Sequence, residues 1–262
     1  MPSLQQTFWK YWYQTLSGRI KKNNVNADPI TFLNYGYWPP EGETLPLDPA
    51  DEPNRPAIQL YHHVASGTPL TGKTVLEVSC GHGGGASFVK RYHQPTTYTA
   101  IDQNPKAIEF CRQTHAPLGI HFQTGDAQAL AFPENHFDAV LNVEASHCYP
   151  RQDDFFRSAY RVLKPGGHLL YADFRPRAGD QDLDRDLTHA GFRTLAKTEI
   201  TPHVLRALQR TSSHFRSLVH RLTPKIIHPI METFAAVEGS GMYNSFVKRE
   251  RVYWSYTLVK ES

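Results

Sequence analysis

VLEVSCGHGGG, residues 75–85, is the most informative part of this sequence. It starts as an apolar run, contains one acid, and then breaks into glycines. Such a run predicts a buried strand, and the glycines after it predict a tight turn into a helix. Glycine accepts positive φ angles and carries no Cβ, so this turn would let a ligand approach the backbone closely.

The surrounding sequence alternates β-branched runs with helical patterns. Strands are predicted at 74–79, 97–102, 119–124, 137–145, 168–174 and 251–260, and helices at 54–66, 83–92, 105–114 and 151–163. This rhythm predicts an α/β fold with a doubly wound, mainly parallel sheet. We expect residues 1–72 to form an N-terminal helical and aromatic cap segment on a core at 73–262. A mostly helical segment at about 201–248 is expected as a lid inserted before the last strand.

The bulk composition narrows the class of protein. A chain of 262 residues suits one α/β domain with an added cap, and its formal charge of +3, without a dense basic run, gives no reason to expect a nucleic-acid partner. Three cysteines without paired spacing predict neither a disulfide framework nor a zinc site, and the histidines match no metal-ligand pattern. No signal peptide and no run of about 20 apolar residues is present, so we expect a cytoplasmic protein without stable membrane insertion.

Two acids follow the next strands of the predicted sheet. Asp102 ends the second strand, where a carboxylate suits two ribose hydroxyls, as in enzymes that use nicotinamide dinucleotides. Asp126 follows the third strand, where it suits an adenine amino group beside the apolar residues Leu130 and Phe132. A nicotinamide-binding fold requires neither this second acid nor the later VLKPGG. These two features therefore make a dehydrogenase a less favoured interpretation.

The order of these motifs resembles class I methyltransferases that use S-adenosylmethionine. It runs E-V-x-C-G-x-G-G, AIDQN, GDAQALAFPENHFDAV and RVLKPGG, and it covers about residues 72–175. The resemblance implies a seven-stranded sheet with an antiparallel last strand and S-adenosylmethionine as cofactor. By this resemblance the cofactor-binding residues are Glu77, Ser79, Gly81 and Gly83 at the methionine end, Asp102 and Gln103 at the ribose, Asp126 and Ala127 at the adenine, and Glu144. Ser79 stands where the family usually has its first glycine, which implies a less open turn or a hydroxyl bonded to the cofactor.

The fourth predicted strand runs into NVEASHCYP, at the same edge of the sheet as the glycine turn. His147 can accept a proton from a hydroxyl acceptor, because the usual pKa of histidine lies near neutrality. We therefore predict His147 as the catalytic base and Glu144 as the partner that orients it. The alternative is a structural pair that caps the next helix or binds backbone.

A narrower resemblance extends over most of the chain. FWKYWY, DEPNRPAIQLYH, VEASHCYPR and LLYADFRP are similar to the mycobacterial phthiotriol and phenolphthiotriol dimycocerosate methyltransferases, and the similarity weakens across 175–248. It implies O-methylation of a hydroxyl on an apolar polyketide- or lipid-like acceptor, a small molecule.

Other functions stay open at the level of sequence. VEASHCYP is also similar to sterol and prenyl C-methyltransferases, in which Glu144 would stabilise a carbocation formed from an alkene. The candidate substrate-contacting aromatics are Tyr11, Tyr35, Tyr37, Trp38 and Tyr149, although ordinary packing explains most of them as well. Arginines at 206, 210, 216 and 221 either converge on a diphosphate or lie on a solvated helix face. A cofactor-binding module without chemistry is the third class.

Overall fold

The computed structural model describes residues 30–40 and 45–261, and the strands among them form one seven-stranded sheet. The strands are β1 (Thr74–Val78), β2 (Thr97–Asp102), β3 (His121–Thr124), β4 (Phe137–Val143), β5 (Leu163–Pro176), β6 (Phe192–Glu199) and β7 (Arg251–Lys260). The α-helices are α1 (Arg55–Ala65), α2 (Gly84–Tyr92), α3 (Pro105–Thr114), α4 (Gln152–Val162), α5 (Asp180–His189), α6 (Thr201–Leu222), α7 (His228–Phe234) and α8 (Gly241–Val247).

The order of the strands is β3-β2-β1-β4-β5-β7-β6. The first five strands are parallel, and β7 lies antiparallel between β5 and β6. The predicted α/β class, the seven-stranded sheet and the antiparallel last strand are confirmed. The chain reverses direction across the sheet between β1 and β4, so the carboxyl ends of these two strands border the crevice where ligands bind in open α/β sheets.

The central parallel strands β1 and β4 are mostly apolar and buried, as expected of strands that helices cover on both faces of the sheet. In β1, Val75 packs with α1 and α2 on one face, while Leu76 and Val78 pack with α4 on the other. Glu77 lies on the same face as Val75 and is the one acid within this strand. Because side chains alternate between the two faces of a strand, Glu77 points toward α1, where Tyr61 bonds to it.

The edge strand β6 was not identified as a separate strand from the sequence. Six of its eight residues are exposed, so it lacks the apolar run that marks the interior strands. It pairs with β7 alone among the described strands, and its register shifts between Thr194 and Ala196. Its position follows from pairing with a distant segment, which a local pattern does not report.

The helices α6, α7 and α8 lie between β6 and β7 along the chain. The segment 30–40 runs from the glycine turn, where Thr31 O accepts from Gly84 N, to α6, where Trp38 N donates to His203 O. The N-terminal helix predicted around FWKYWY, and Tyr11 with it, lie outside the described residues. None of the helices that the structure describes is both long enough and apolar enough to cross a bilayer.

Candidate active site

The glycine turn joins β1 to α2 and contains two glycines with positive φ. Gly81 has φ +56° and Gly83, which precedes the first turn of α2, has φ +78°. A Cβ on Gly83 would lie 2.8 Å from Cδ2 of His115. These positions therefore require glycine for the backbone conformation that the sequence predicted.

The next two glycines make room for aromatic rings of the protein itself. A Cβ on Gly84 would lie 2.8 Å from the Phe32 ring, and a Cβ on Gly85 would lie 1.9 Å from Cζ of Tyr61. From the sequence, all the glycines of this turn are expected to make room for a ligand. For Gly84 and Gly85 this was wrong, because the space belongs to side chains that cover the turn.

Tyr61 connects the turn to the acid of β1. Its hydroxyl donates to Oε1 of Glu77 at 2.8 Å, and the hydroxyl of Tyr98 donates to Oε2 at 2.8 Å. Glu77 is 1% exposed. Burial raises the pKa of Glu77 to about 7, although both tyrosine hydrogen bonds act in the opposite direction. Glu77 thus lies behind the turn, with each of its oxygens bonded to a tyrosine.

We expect Glu77→Gln to stabilise the protein more at pH 8 than at pH 5. The carboxyl group of the unfolded chain ionises near pH 4.5 and that of the folded chain near 7, so folding stability falls as pH rises through this window. The full loss above pH 7 is about 3 kcal/mol. Chemical unfolding of both proteins at the two pH values measures the difference. The exposed Glu250→Gln is the matched control, and an equal gain at both pH values for Glu77→Gln contradicts the argument.

Asp102 holds the other side of the turn. Its Oδ2 accepts from Gly81 N at 3.0 Å, and its Oδ1 accepts from Asn104 N at 2.9 Å. The carboxylate is buried at the carboxyl end of β2. Each carboxylate oxygen can accept a second hydrogen bond, so Asp102 can brace the turn and still take donors from a ligand. Gln103 follows it and is exposed.

The predicted adenine-side residues lie after β3. Asp126 is exposed, and its Oδ1 accepts from Gln128 N at 2.9 Å, whereas Ala127 is buried. Leu130 is 2% exposed and packs in the core under the sheet, so it does not form the apolar wall expected from the sequence. Phe132 is partly buried against the same core.

Ser79 adopts a backbone conformation that favours the glycine expected at this position from the family resemblance. It has φ +63°, in the left-handed region that side chains other than glycine rarely adopt. Its Oγ lies 2.6 Å from the hydroxyl of Tyr149, which also accepts from Nδ2 of Asn142 at 2.8 Å. The predicted substrate-contacting Tyr149 is therefore bonded to the glycine turn, and the Ser79 hydroxyl is directed to a protein group.

Glu144 follows β4 and also has a positive φ, +52°. Its Oε2 accepts from Tyr35 N and from the Tyr253 hydroxyl, both at 2.9 Å. The side chain is half-buried, and burial raises its pKa to about 8. Two residues with strained backbone, Ser79 and Glu144, thus lie at the carboxyl ends of adjacent strands, a placement typical of functional sites.

The partner of His147 is Asp173 on β5. Nδ1 of His147 lies 2.8 Å from Oδ1 of Asp173, and the backbone N of His147 donates to Oδ2 at 2.8 Å. Glu144, the partner predicted from the sequence, is instead bonded through its carboxyl group to Tyr35 and Tyr253. The side chain of Asp173 is fully buried, and 29% of the His147 side chain is exposed.

Electrostatics favour an ion pair between these two groups. Burial opposes the charged imidazolium, but the Asp173 carboxylate outweighs it and raises the pKa of His147 well above its usual value. Burial likewise opposes the charged carboxylate, but His147 and the Ser146 hydroxyl, which donates at 2.6 Å, lower the pKa of Asp173. The dyad places a proton-accepting imidazole, with a defined ring orientation, at the edge of the crevice.

The sequence analysis passed over Asp173, although a local signal marks it. It is the one acid in the buried run LLYADF, and β5 neighbours β4 in the sheet. A buried acid near the carboxyl end of a strand needs a partner. The histidine just beyond the adjacent strand end was the natural candidate.

The aromatic residues divide into two groups. Tyr35 stacks on Phe174 with ring centroids 5.5 Å apart, and Phe174 lies 4.3 Å from the His147 ring centroid. Tyr35 therefore lies beside both Glu144 and the dyad. Tyr37 instead stacks between two histidines, and Trp38 lies under the guanidinium of Arg210 at 4.0 Å. For these two, packing is the interpretation that the contacts support.

Comparisons with known proteins agree with this architecture. Residues 76–171 match a family model described as a methyltransferase domain. The phthiotriol/phenolphthiotriol dimycocerosates methyltransferase of Mycobacterium leprae (strain TN) is 38% identical over 99% of this chain and 94% of its own length. The fatty-acid O-methyltransferase of Mycolicibacterium smegmatis (strain ATCC 700084 / mc(2)155) is 41% identical over 94% of this chain and 89% of its own length.

A solved structure shares the fold at much lower identity. The crystal structure of the [4+2]-cyclase SpnF has a TM-score of 0.69 and 22% identity, covering 99% of this chain and 97% of that one. The fold and the family model together define a class I methyltransferase that depends on S-adenosylmethionine. The extent of the match to the curated relatives shows that the chain belongs to the family of the phthiotriol/phenolphthiotriol dimycocerosates methyltransferases.

Proposed function

We propose that this chain transfers the methyl group of S-adenosylmethionine to an oxygen of an apolar, polyketide- or lipid-like acceptor. The observation that carries the proposal is the His147–Asp173 dyad at the carboxyl end of β4, beside the glycine turn. A hydroxyl that attacks a methyl group must lose its proton, and the dyad supplies a base for it. The names of the two relatives, a lipid methyltransferase and a fatty-acid O-methyltransferase, support an acceptor of this kind.

The residues of the turn fit S-adenosylmethionine. The cofactor carries no phosphate, and the turn contains no lysine or arginine. Gly81 and Gly83, which have positive φ, leave the backbone accessible to the methionine part of the cofactor. The carboxylate of Asp102 can accept hydrogen bonds from ribose hydroxyls in addition to those from Gly81 N and Asn104 N. Asp126 and Ala127, which follow β3, are the residues proposed to contact the adenine. When bound, the cofactor supplies an electrophilic methyl group on a positively charged sulfur.

The dyad performs the proton transfer. Asp173 accepts from Nδ1–H of His147, so Nε2 is the ring nitrogen that accepts a proton from the acceptor hydroxyl. The imidazolium that results is stabilised by the buried Asp173 carboxylate. Because the pKa of His147 is raised, the base is active in the deprotonated fraction, and the rate rises with pH.

Glu144 and Tyr35 position the acceptor next to the base. Tyr35 covers Glu144 and presents its ring beside Phe174, so an apolar chain would lie against aromatic faces. With a pKa of about 8, Glu144 is largely protonated at neutral pH and can donate a hydrogen bond to the acceptor oxygen. Orientation of the oxygen toward the methyl group contributes to the rate through proximity.

The experiment that tests the proposal is product analysis. Purified protein is incubated with methyl-labelled S-adenosylmethionine and, in separate reactions, a long-chain secondary alcohol, a long-chain fatty acid and a prenyl alkene. A labelled methyl ether or ester, identified by NMR, is the expected product. A new carbon–carbon methyl bond from the alkene would overturn the O-transfer in favour of the C-methylation considered from the sequence.

Cofactor binding has its own expected result. Asp102→Ala should weaken S-adenosylmethionine binding by about 100-fold or more, because hydrogen bonds to a charged group are worth about 1.5–3 kcal/mol each. Calorimetric titration measures it, with NAD titrated in parallel, and we expect no NAD binding. Asp153→Ala, on the exposed face of α4, is the control and should bind as the wild type does. An unchanged affinity in Asp102→Ala would exclude the ribose role.

A further inference from the structure

The helical segment between β6 and β7, which we call the lid, has an uneven charge distribution. Residues 201–231, which include α6 and the start of α7, contain five arginines or lysines and four histidines but no aspartate or glutamate. The whole chain carries 28 basic and 25 acidic residues. Glu232, the next residue, lies 2.8 Å from Nε2 of His220 and 3.8 Å from Nε of Arg216, so the local excess of positive charge rests on Arg206, Arg210, Arg221 and Lys225. A field of one sign on one element favours a partner of the opposite charge.

The cations of α6 lie outward. Arg206, Arg210 and Arg221 are exposed and, at 3.6 residues per turn, fall on one face of the helix. Arg210 lies over the Trp38 ring, and Arg216 is bonded to Glu238 O from a neighbouring face. They do not converge on the His147–Asp173 dyad, so the contacts do not support the diphosphate site considered from the sequence.

The end of this basic face is apolar. Ile226 is 87% exposed and Ile230 is 45% exposed, in the short connection between α6 and the first turn of α7. The neighbouring residues Pro224, Lys225 and Pro229 are exposed as well. We call residues 221–230 the lid tip. An apolar side chain as exposed as Ile226 has no role in the packing of the described fold.

We propose that the lid tip docks on a membrane surface that contains anionic lipids, with Ile226 and Ile230 inserted among the acyl chains and Arg221 and Lys225 at the headgroups. The combination of two features selects a bilayer over other anionic partners. Cations alone suit any polyanion, whereas exposed isoleucines next to them gain free energy in an apolar phase. A nucleic acid offers no such phase to the isoleucines.

Docking would bring the crevice close to the bilayer. α7 starts within the lid tip and ends at Phe234, whose carbonyl accepts from the Tyr35 hydroxyl at 3.0 Å. The backbone N of Tyr35 donates to Glu144. The seven-residue helix α7 therefore connects the lid tip to Tyr35, which is itself bonded to Glu144. The proposal concerns the surface and does not depend on which acceptor is methylated.

Vesicle sedimentation tests the proposal on the full chain. The probes are vesicles of phosphatidylcholine alone and vesicles with about three tenths phosphatidylglycerol. We expect binding to the anionic vesicles, weakened by salt because the charges are exposed. Ile226→Ser with Ile230→Ser should lower the partition coefficient about tenfold or more. Arg221→Gln and Lys225→Gln should each lower it about fivefold on anionic vesicles.

Two further measurements separate insertion from simple charge attraction. Ile226→Trp should show emission at shorter wavelength on anionic vesicles, and brominated acyl chains should quench it. Leu195→Ser, which removes an apolar side chain 46% exposed on β6, is the matched control and should bind as the wild type does. Thermal unfolding verifies that each variant is folded. The proposal is overturned if the wild type does not bind anionic vesicles, or if the isoleucine variant binds them as tightly as the wild type.

Discussion

Replacing His147 by alanine should lower the rate of methyl transfer by about 10²- to 10⁴-fold, the usual contribution of a positioned general base. Binding of S-adenosylmethionine should be unchanged, because His147 follows β4 and Asp173 lies on β5, whereas the glycine turn proposed to hold the cofactor follows β1. The rate is measured in single turnovers with an acceptor that the wild type methylates, and binding by calorimetry. A rate close to that of the wild type would remove His147 from the mechanism.

The pH profile distinguishes the role of Asp173 from mere structural support. In the wild type, the rising limb of the pH profile should have a midpoint well above 6.5, because Asp173 stabilises the protonated imidazole, and activity should fall again where Glu144, with a pKa of about 8, loses its proton. In Asp173→Asn this carboxylate is gone, so the midpoint should move to lower pH while the maximal rate falls. A lower rate with an unmoved midpoint would mean that Asp173 acts only through the packing around Ser146 and β5.

Gly85→Ala should destabilise the protein by about 3 kcal/mol or more and abolish cofactor binding. The new Cβ would lie 1.9 Å from Cζ of Tyr61, so either the Tyr61 ring or α2 must move. Overpacking of a tight core typically costs about 1–3 kcal/mol, occasionally more. Because Tyr61 is bonded to Glu77 behind the turn, its displacement also disturbs the turn. Chemical unfolding and calorimetry measure the two effects.

The cause can be isolated by a double-mutant cycle. Tyr61→Leu removes the ring that the new Cβ meets, so the penalty of Gly85→Ala should be much smaller in that background. Gly179→Ala adds a methyl group where nothing lies within 4 Å of it and serves as the control. Equal penalties with and without the Tyr61 ring would show that the clash is not the cause.

Much of the sheet could be predicted because its interior strands carry their own signal. β1, β2 and β4 are buried on both faces, so an apolar run between turn residues marks each of them. β6 has no such run, since it is an exposed edge that exists through its pairing with β7. Burial therefore accounts for the interior strands, whereas the other edge strand, β3, was predicted from the pattern at 119–124 although three of its four residues are exposed.

The sequence could predict those residues of the candidate site whose type is required at the end of a strand. The positive φ of Gly81 and Gly83 and the positions of Asp102 and His147 follow from the turn and from the strand ends. Partnerships were not predictable in the same way. Asp173 is 26 residues from His147, and Tyr253 is 109 residues from Glu144, so these contacts depend on how the strands are ordered in the sheet.

The position of β7 has a consequence for the order of events during synthesis. β7 follows β6 along the chain but lies between β5 and β6, and its Tyr253 bonds to Glu144. A nascent chain that lacks β7 cannot place β6 beside the rest of the sheet, and it leaves one edge of β5 without a strand partner. The acceptor side of the site therefore forms late, after nearly the whole described chain has left the ribosome. Until then, the open edge of β5 is a surface that chaperones would need to shield from other chains.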